Sequence, residues 1–227
     1  MNSIKDVDLF LIFEFRRFYP TLYTEIFYLT RNVFENEQWQ DTYDLNYDIN
    51  FRLFQWDAGL KFPILGSHEV KLYGSYQQFH EGIKERVEGQ LGKLGFDYYV
   101  GKHFGIAWQT DIHKPTVDFG INPGNGVQGN FEARYEQNDF MSGFKINEDY
   151  STLEPDFITY DFWRIIGDLS ASVTIPWTPR WTASAELQWG WMSSTEVDSF
   201  FNFFAGGLPG LKGYPFYSIE GNREVIG

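Results

Sequence analysis

Carboxylate catalysis, metal ligation and nucleotide binding each require particular residue types at particular spacings, and the chain offers little of any of them. The closest acid pairs are Glu35 with Glu37, Asp41 with Asp44, and Glu148 with Asp149. All three lie in polar stretches, where a solvated acid is the ordinary reading. The four histidines, His68, His80, His103 and His113, are scattered, and there is no cysteine. A disulfide framework and a Cys-ligated zinc or iron–sulfur site are thereby excluded. The sequence contains no Gly-x-Ser-x-Gly elbow, no phosphate loop and no His-Glu-x-x-His. The run Gly101-Lys102-His103-Phe104-Gly105 lacks the strand-to-helix setting of a nucleotide site. The residues predict a protein that is not an enzyme, with no catalytic, cofactor-binding or metal-ligating positions and no cofactor.

Charge and hydropathy narrow the class further. The net charge is −13, and the sequence pI of about 4.7 opposes binding to a phosphate backbone, so nucleic acid is not an expected partner. Aromatic residues make up 20% of the 227 positions, yet mean hydropathy is only −0.37. No window approaches the roughly 18 apolar residues of a spanning helix. The first residues, Met1 to Asp8, do not read as an export signal. The last, Arg223 to Gly227, read as the opening of a strand, so the chain is expected to be a fragment of a longer one.

The elements that must position any functional residues have a period of two. Trp181, Ala183, Ala185, Leu187, Trp189 and Trp191 alternate with Thr182, Ser184, Glu186, Gln188, Gly190 and Met192. Leu169, Ala171, Val173 and Ile175 alternate with small polar residues, and Pro176-Trp177-Thr178-Pro179 joins the two runs as a hairpin. A second hairpin runs from Phe54 to Phe62, turns at Leu65-Gly66-Ser67, and returns through Val70 to Tyr76. Further strands are predicted over Phe104 to Ile112, Val127 to Tyr135, Leu9 to Phe15 and, beyond a break at Tyr19-Pro20, Leu22 to Arg31.

About nine or ten strands result, many near the ~9 to 11 residues that cross a bilayer at a tilt. With aromatic residues near strand ends and low mean hydropathy, the pattern predicts an all-β fold, a partial antiparallel transmembrane β-barrel occupying residues 1–227. The alternative is a soluble all-β domain whose apolar face is its core. Long polar loops are expected from Phe34 to Asp44, Glu81 to Glu88, Met141 to Asp156 and Ser194 to Gly221.

The last of these is unusual. From Ser199 onward it carries Phe200, Phe201, Phe203, Phe204, Leu208, Leu211, Tyr214, Phe216 and Tyr217 among several glycines. So apolar a loop is expected to fold inward rather than lie in water. The order Phe204-Ala205-Gly206-Gly207, then Leu211-Lys212-Gly213-Tyr214-Pro215, then Gly221 before Arg223-Glu224-Val225-Ile226 resembles the BamA superfamily of outer-membrane barrels, the bacterial surface antigen family. The turn Ile121-Asn122-Pro123-Gly124-Asn125-Gly126 and the run Tyr160-Asp161-Phe162-Trp163 add to the resemblance. It covers about the last half of the chain.

The resemblance implies a bacterial outer-membrane location and a role in inserting, assembling or translocating proteins. The implied partners are membrane lipid, nascent outer-membrane or secreted proteins, and periplasmic accessory domains. It also implies a lumen loop over Ser194 to Gly221, with Gly206, Gly207, Leu211, Lys212, Gly213, Tyr214 and Gly221 as its functional residues. The family has Arg where this chain has Lys212, which keeps the charge but loses the planar fork. Polar-face acids expected to meet Lys212 within this chain are Glu132, Glu136, Asp168 and Glu186, the family's own partner lying beyond residue 227. The other functions in view are a porin-like channel and a soluble carbohydrate-binding domain.

Overall fold

The computed structural model describes residues 6–39, 43–87, 90–114, 124–147, 152–178, 181–205 and 219–226. The chain is all-β, with a single short 3-10 turn and no α-helix among the described residues. Its strands are β1 (Val7–Phe15), β2 (Thr21–Trp39), β3 (Tyr43–Ile64), β4 (His68–Val87), β5 (Gln90–Asp111), β6 (Gly126–Asn147), β7 (Thr152–Thr174) and β8 (Thr182–Met192). They are followed by β9 (Phe203–Ala205), β10 (Ile219–Gly221) and β11 (Arg223–Ile226). Nine form one antiparallel meander in the order β1-β2-β3-β4-β5-β6-β7-β8-β11, while β9 and β10 pair separately. β1 and β11 are the two edges of this sheet.

Both predicted hairpins are present. β7 and β8 pair with Ala171 opposite Ala185, and β3 and β4 pair with Leu60 opposite Leu72. The β3–β4 turn places Leu65 at φ 53° and Gly66 at φ 72°. Gly66 suits that left-handed conformation and Leu65 does not.

Three expected loops are strand wherever they are described. Residues 34–39 and 43–44 continue β2 and β3, with Phe34 opposite Asp48 and Gln38 opposite Asp44. Residues 81–87 complete β4 against β5, and across β6 and β7 Met141 pairs with Phe157 and residues 143–147 with 152–156, around an irregularity at Met141/Gly143. The physical reason is that alternation is visible only where the two faces differ. In Glu81-Gly82-Ile83-Lys84-Glu85-Arg86 they do not, yet the backbone still pairs. Six of the strands therefore run to 19–23 residues, or about 70 Å for a strand of 22 at ~3.3 Å per residue.

Register assigns every side chain near the sheet's middle to one of two faces. One carries Leu11, Ile26, Trp56, Tyr76 and their neighbours, continuing through Leu72, Ile106, Ala133, Ile165 and Trp191. The other carries Glu14, Tyr23, Gly59, Tyr73, Gly105, Arg134 and Arg164 in the same succession. The apolar face is the open one: Phe104 is 69% exposed, Trp163 51% and Leu11 48%. Among the described residues no second layer packs on it. The buried apolar cluster of Tyr99, Phe162, Met192 and Phe201 lies on the polar face instead.

The sheet curls around that polar face. A recess of about 260 Å³ is lined by residues of five successive strands, from Tyr23 on β2 to Arg134 on β6. Lys61 on β3 reaches over β2 to Glu14 on β1 at 2.7 Å, and the Tyr73 hydroxyl on β4 reaches over β5 to Glu132 on β6.

Candidate functional site

The polar face gathers its charges where β5, β6 and β7 run side by side. Glu132, Arg134 and Glu136 stand two residues apart on β6, so all three project from the same face. Register sets Gly105 and Arg164 on either side of Arg134, and His103 and Phe162 on either side of Glu136. Two guanidinium groups thus neighbour each other across a strand pair, a repulsive placement unless an acid lies between them.

Glu136 is that acid. Its Oε1 accepts from Nε of Arg134 and from Nε of Arg164, each at 2.6 Å, and its Oε2 accepts from the Asn138 amide at 3.1 Å. Glu132 accepts from Arg134 Nη1 at 2.9 Å and from the Tyr73 hydroxyl. Asn138, fully buried, accepts on Oδ1 from Tyr99 at 2.8 Å and lies 3.1 Å from His103 Nε2. Every group in this knot has a partner, as buried polar groups require. Gly101 leaves it room, since a Cβ there would stand 2.2 Å from the Tyr99 hydroxyl and 2.9 Å from His103 Nε2.

The segment after β8 folds onto this knot. Ser193 extends the β7–β8 pairing through hydrogen bonds with Trp163. The chain then turns back, and Asp198 caps the 3-10 turn Ser199–Phe201 by accepting from the Phe200 amide at 2.8 Å. Phe201, 4% exposed, seats its ring among Tyr99, Phe140, Tyr160 and Phe162 at centroid distances of 5.6–6.0 Å. Phe200 stacks on Phe140 at 5.1 Å. Arg164 Nη2 donates to the Phe201 carbonyl at 2.8 Å. Beyond it, β9 and β10 pair, and Asn202 donates to Glu220 at 2.7 Å.

Of the residues singled out in the sequence, Gly206, Gly207, Leu211, Lys212, Gly213 and Tyr214 lie outside the described residues, and Gly221 ends β10. Of the four acids proposed for Lys212, Glu132 and Glu136 are held by arginines of the same sheet. Asp168 accepts from Asn130 at 2.8 and 3.1 Å, and Glu186 from Gln188 at 3.1 Å.

Glu35 and Glu37 lie in β2, Asp44 lies in β3, and Asp41, Glu148 and Asp149 fall outside the described residues. His80 pairs with Asp97 at 2.7 Å, His113 with Asp111 at 3.0 Å, and His68 stacks near Trp108, so the histidines lie apart. No group of three potential metal ligands occurs among the described residues.

Sequence reasoning placed Arg134 on the polar face but did not weigh it as a partner for the acids beside it, and it missed Arg164. The Glu132-x-Arg134-x-Glu136 spacing was the available signal for the first. Arg164 directly follows the Tyr160 to Trp163 run and carried no signal of its own. No protein-family model, curated protein or solved structure matches this chain.

Proposed function

We propose that this sheet is wall from a transmembrane β-barrel of the outer-membrane type, with its apolar face toward lipid and its polar face toward an aqueous interior. One observation carries the reading. Across the stretches Leu9–Phe15, Leu22–Tyr28, Phe54–Phe62, Val70–Tyr76, Phe104–Thr110, Val127–Tyr135, Trp163–Val173 and Ala183–Trp191, the apolar face bears no charged side chain. The opposite face of the same strands carries Glu14, Glu25, Asp57, Lys61, Lys71, Glu132, Arg134, Glu136, Arg164, Asp168 and Glu186.

The dimensions of the uncharged band agree. The stretches run from seven to eleven residues, and at ~3.3 Å each with a tilt of ~40° they give heights of roughly 18–28 Å, a range that includes the ~25 Å of an outer-membrane apolar belt. Aromatic residues border it, with Tyr28, Phe54, Tyr135 and Trp163 at one rim and Phe15, Phe62, Trp108 and Trp181 toward the other. Just past the first rim the same face turns polar at Arg52, Gln78, Lys102, Gln137 and Asp161. Each large apolar side chain of the band would forfeit on the order of 1.5–3 kcal/mol in water, which a lipid surround removes. Two polar groups within the band are paired in the sheet, Trp56 Nε1 donating to Thr24 Oγ1 at 2.8 Å and Thr24 Oγ1 to the Asp57 carbonyl at 3.1 Å, while the buried Thr110 hydroxyl at its edge has no partner. Such pairing is required in hydrocarbon.

The role we assign is insertion or translocation of proteins at a bacterial outer membrane, which rests on the resemblance of the Gly206 to Tyr214 region to the BamA superfamily. Its partners on this reading are membrane lipid, nascent outer-membrane or secreted proteins, and periplasmic domains. A simple porin-like channel fits less well, because the segment lying on the polar face is aromatic rather than polar and constricting.

The test begins with refolding the protein into lipid vesicles and measuring flotation and heat-modifiable gel mobility. The rate at which a second, unfolded outer-membrane barrel inserts into those vesicles is then compared with that in protein-free vesicles. Acceleration supports the assigned role, and conductance without acceleration favours the channel. A chain that stays in the aqueous supernatant contradicts the transmembrane reading.

A further inference from the structure

We infer that Arg164, on the wall, is the positioning residue that docks segment 198–203 on the polar face as a plug. The inference rests on the barrel reading only in calling that face an interior, since the contacts themselves lie within this chain.

The guanidinium of Arg164 does two things at once. Its Nε is committed to Glu136 at 2.6 Å, and its Nη2 reaches the Phe201 carbonyl at 2.8 Å. Its plane also covers the Phe203 ring, with Cζ 5.1 Å from the centroid. Only a rigid fork bridges acid and carbonyl while stacking on a ring, so Lys would keep part of this and lose the rest.

The wall is shaped for the segment as well. Gly190 on β8 leaves the space that Phe203 occupies, and a Cβ there would lie 2.7 Å from the ring. Phe201 fills the aromatic cup already described. Two side chains, one carbonyl and one absent methyl therefore fix the segment, and the docked segment narrows the polar face at the level of Tyr99 and Phe162.

The test is chymotrypsin cleavage after Phe201, followed by mass spectrometry on protein folded in detergent micelles, with wall integrity monitored by heat-modifiable mobility. In the parent chain the bond should be cut slowly. Arg164→Ala should speed that cut tenfold or more with the mobility shift retained, and Arg164→Lys should restore part of the protection. Gly190→Ala crowds the Phe203 slot without touching a charge and should speed it likewise, deciding the matter if Arg164→Ala does not fold. Cleavage after Phe201 that stays at the parent rate in both Arg164→Ala and Gly190→Ala would overturn the inference. Failure of the barrel reading would instead show as a parent chain with no heat-modifiable mobility.

Discussion

At the scale of single residues, Glu136 has the largest electrostatic duty on the polar face, because two neighbouring arginines are neutralised through it. Glu136→Ala would leave Arg164 with no carboxylate and Arg134 with only Glu132. Breaking a buried pair by removing one partner costs roughly 3–5 kcal/mol. A urea unfolding series in vesicles should show a loss of that order, and a smaller loss for Glu136→Gln, which keeps one acceptor oxygen. The two faces of β8 offer a complementary contrast. Ala185→Arg puts a charge on the apolar face and should cost about 2–4 kcal/mol near mid-band. Gln188→Arg, on the polar face with Asp168 and Glu186 close by, should cost much less in the same titration. The acids of this face were legible in the sequence, since alternation places Glu132, Glu136, Asp168 and Glu186 opposite the apolar residues. Their actual partners were not, because pairing depends on the register between strands, which no single strand encodes.

At the scale of elements, strands with unlike faces were readable and strands with like faces were not. Phe54 to Phe62 and Trp181 to Trp191 advertise themselves by alternation. The far halves of β2 to β7 have polar residues on both sides, so their pairing leaves no period in the sequence and they resemble loops. The β3–β4 turn was legible from Leu65-Gly66-Ser67, although not the cost of its first residue. Leu65 is 90% exposed and sits at φ 53°, a conformation that costs an ordinary side chain roughly 1–2 kcal/mol. Leu65→Asn, a residue that tolerates the left-handed region, should raise stability by about 1 kcal/mol in equilibrium unfolding, whereas Gly66→Val should lower it. No change for either variant would mean that the turn relaxes out of this geometry.

At the scale of the whole molecule, the fold is dominated by one curled nine-stranded sheet, and the packed apolar cluster found among the described residues lies on the side its charges occupy. That arrangement inverts a water-soluble sandwich, in which the uncharged faces meet. In its described part the chain after β8 packs through Phe201 on the polar face, where Arg164 donates to the Phe201 carbonyl, and Lys212 lies outside the described residues. The central claim is that the uncharged face meets lipid. Its most direct test uses single cysteines in a chain that has none of its own, at Ala183, Ala185 and Leu187 and at Ser184, Glu186 and Gln188. Each variant carries an environment-sensitive fluorophore and is reconstituted in vesicles containing nitroxide-labelled acyl chains, with iodide added to the water. The account predicts a strict alternation, the first three quenched by the acyl-chain nitroxide and the last three by iodide. Quenching by iodide at all six sites, or by neither agent at Ala183, Ala185 and Leu187, would contradict it.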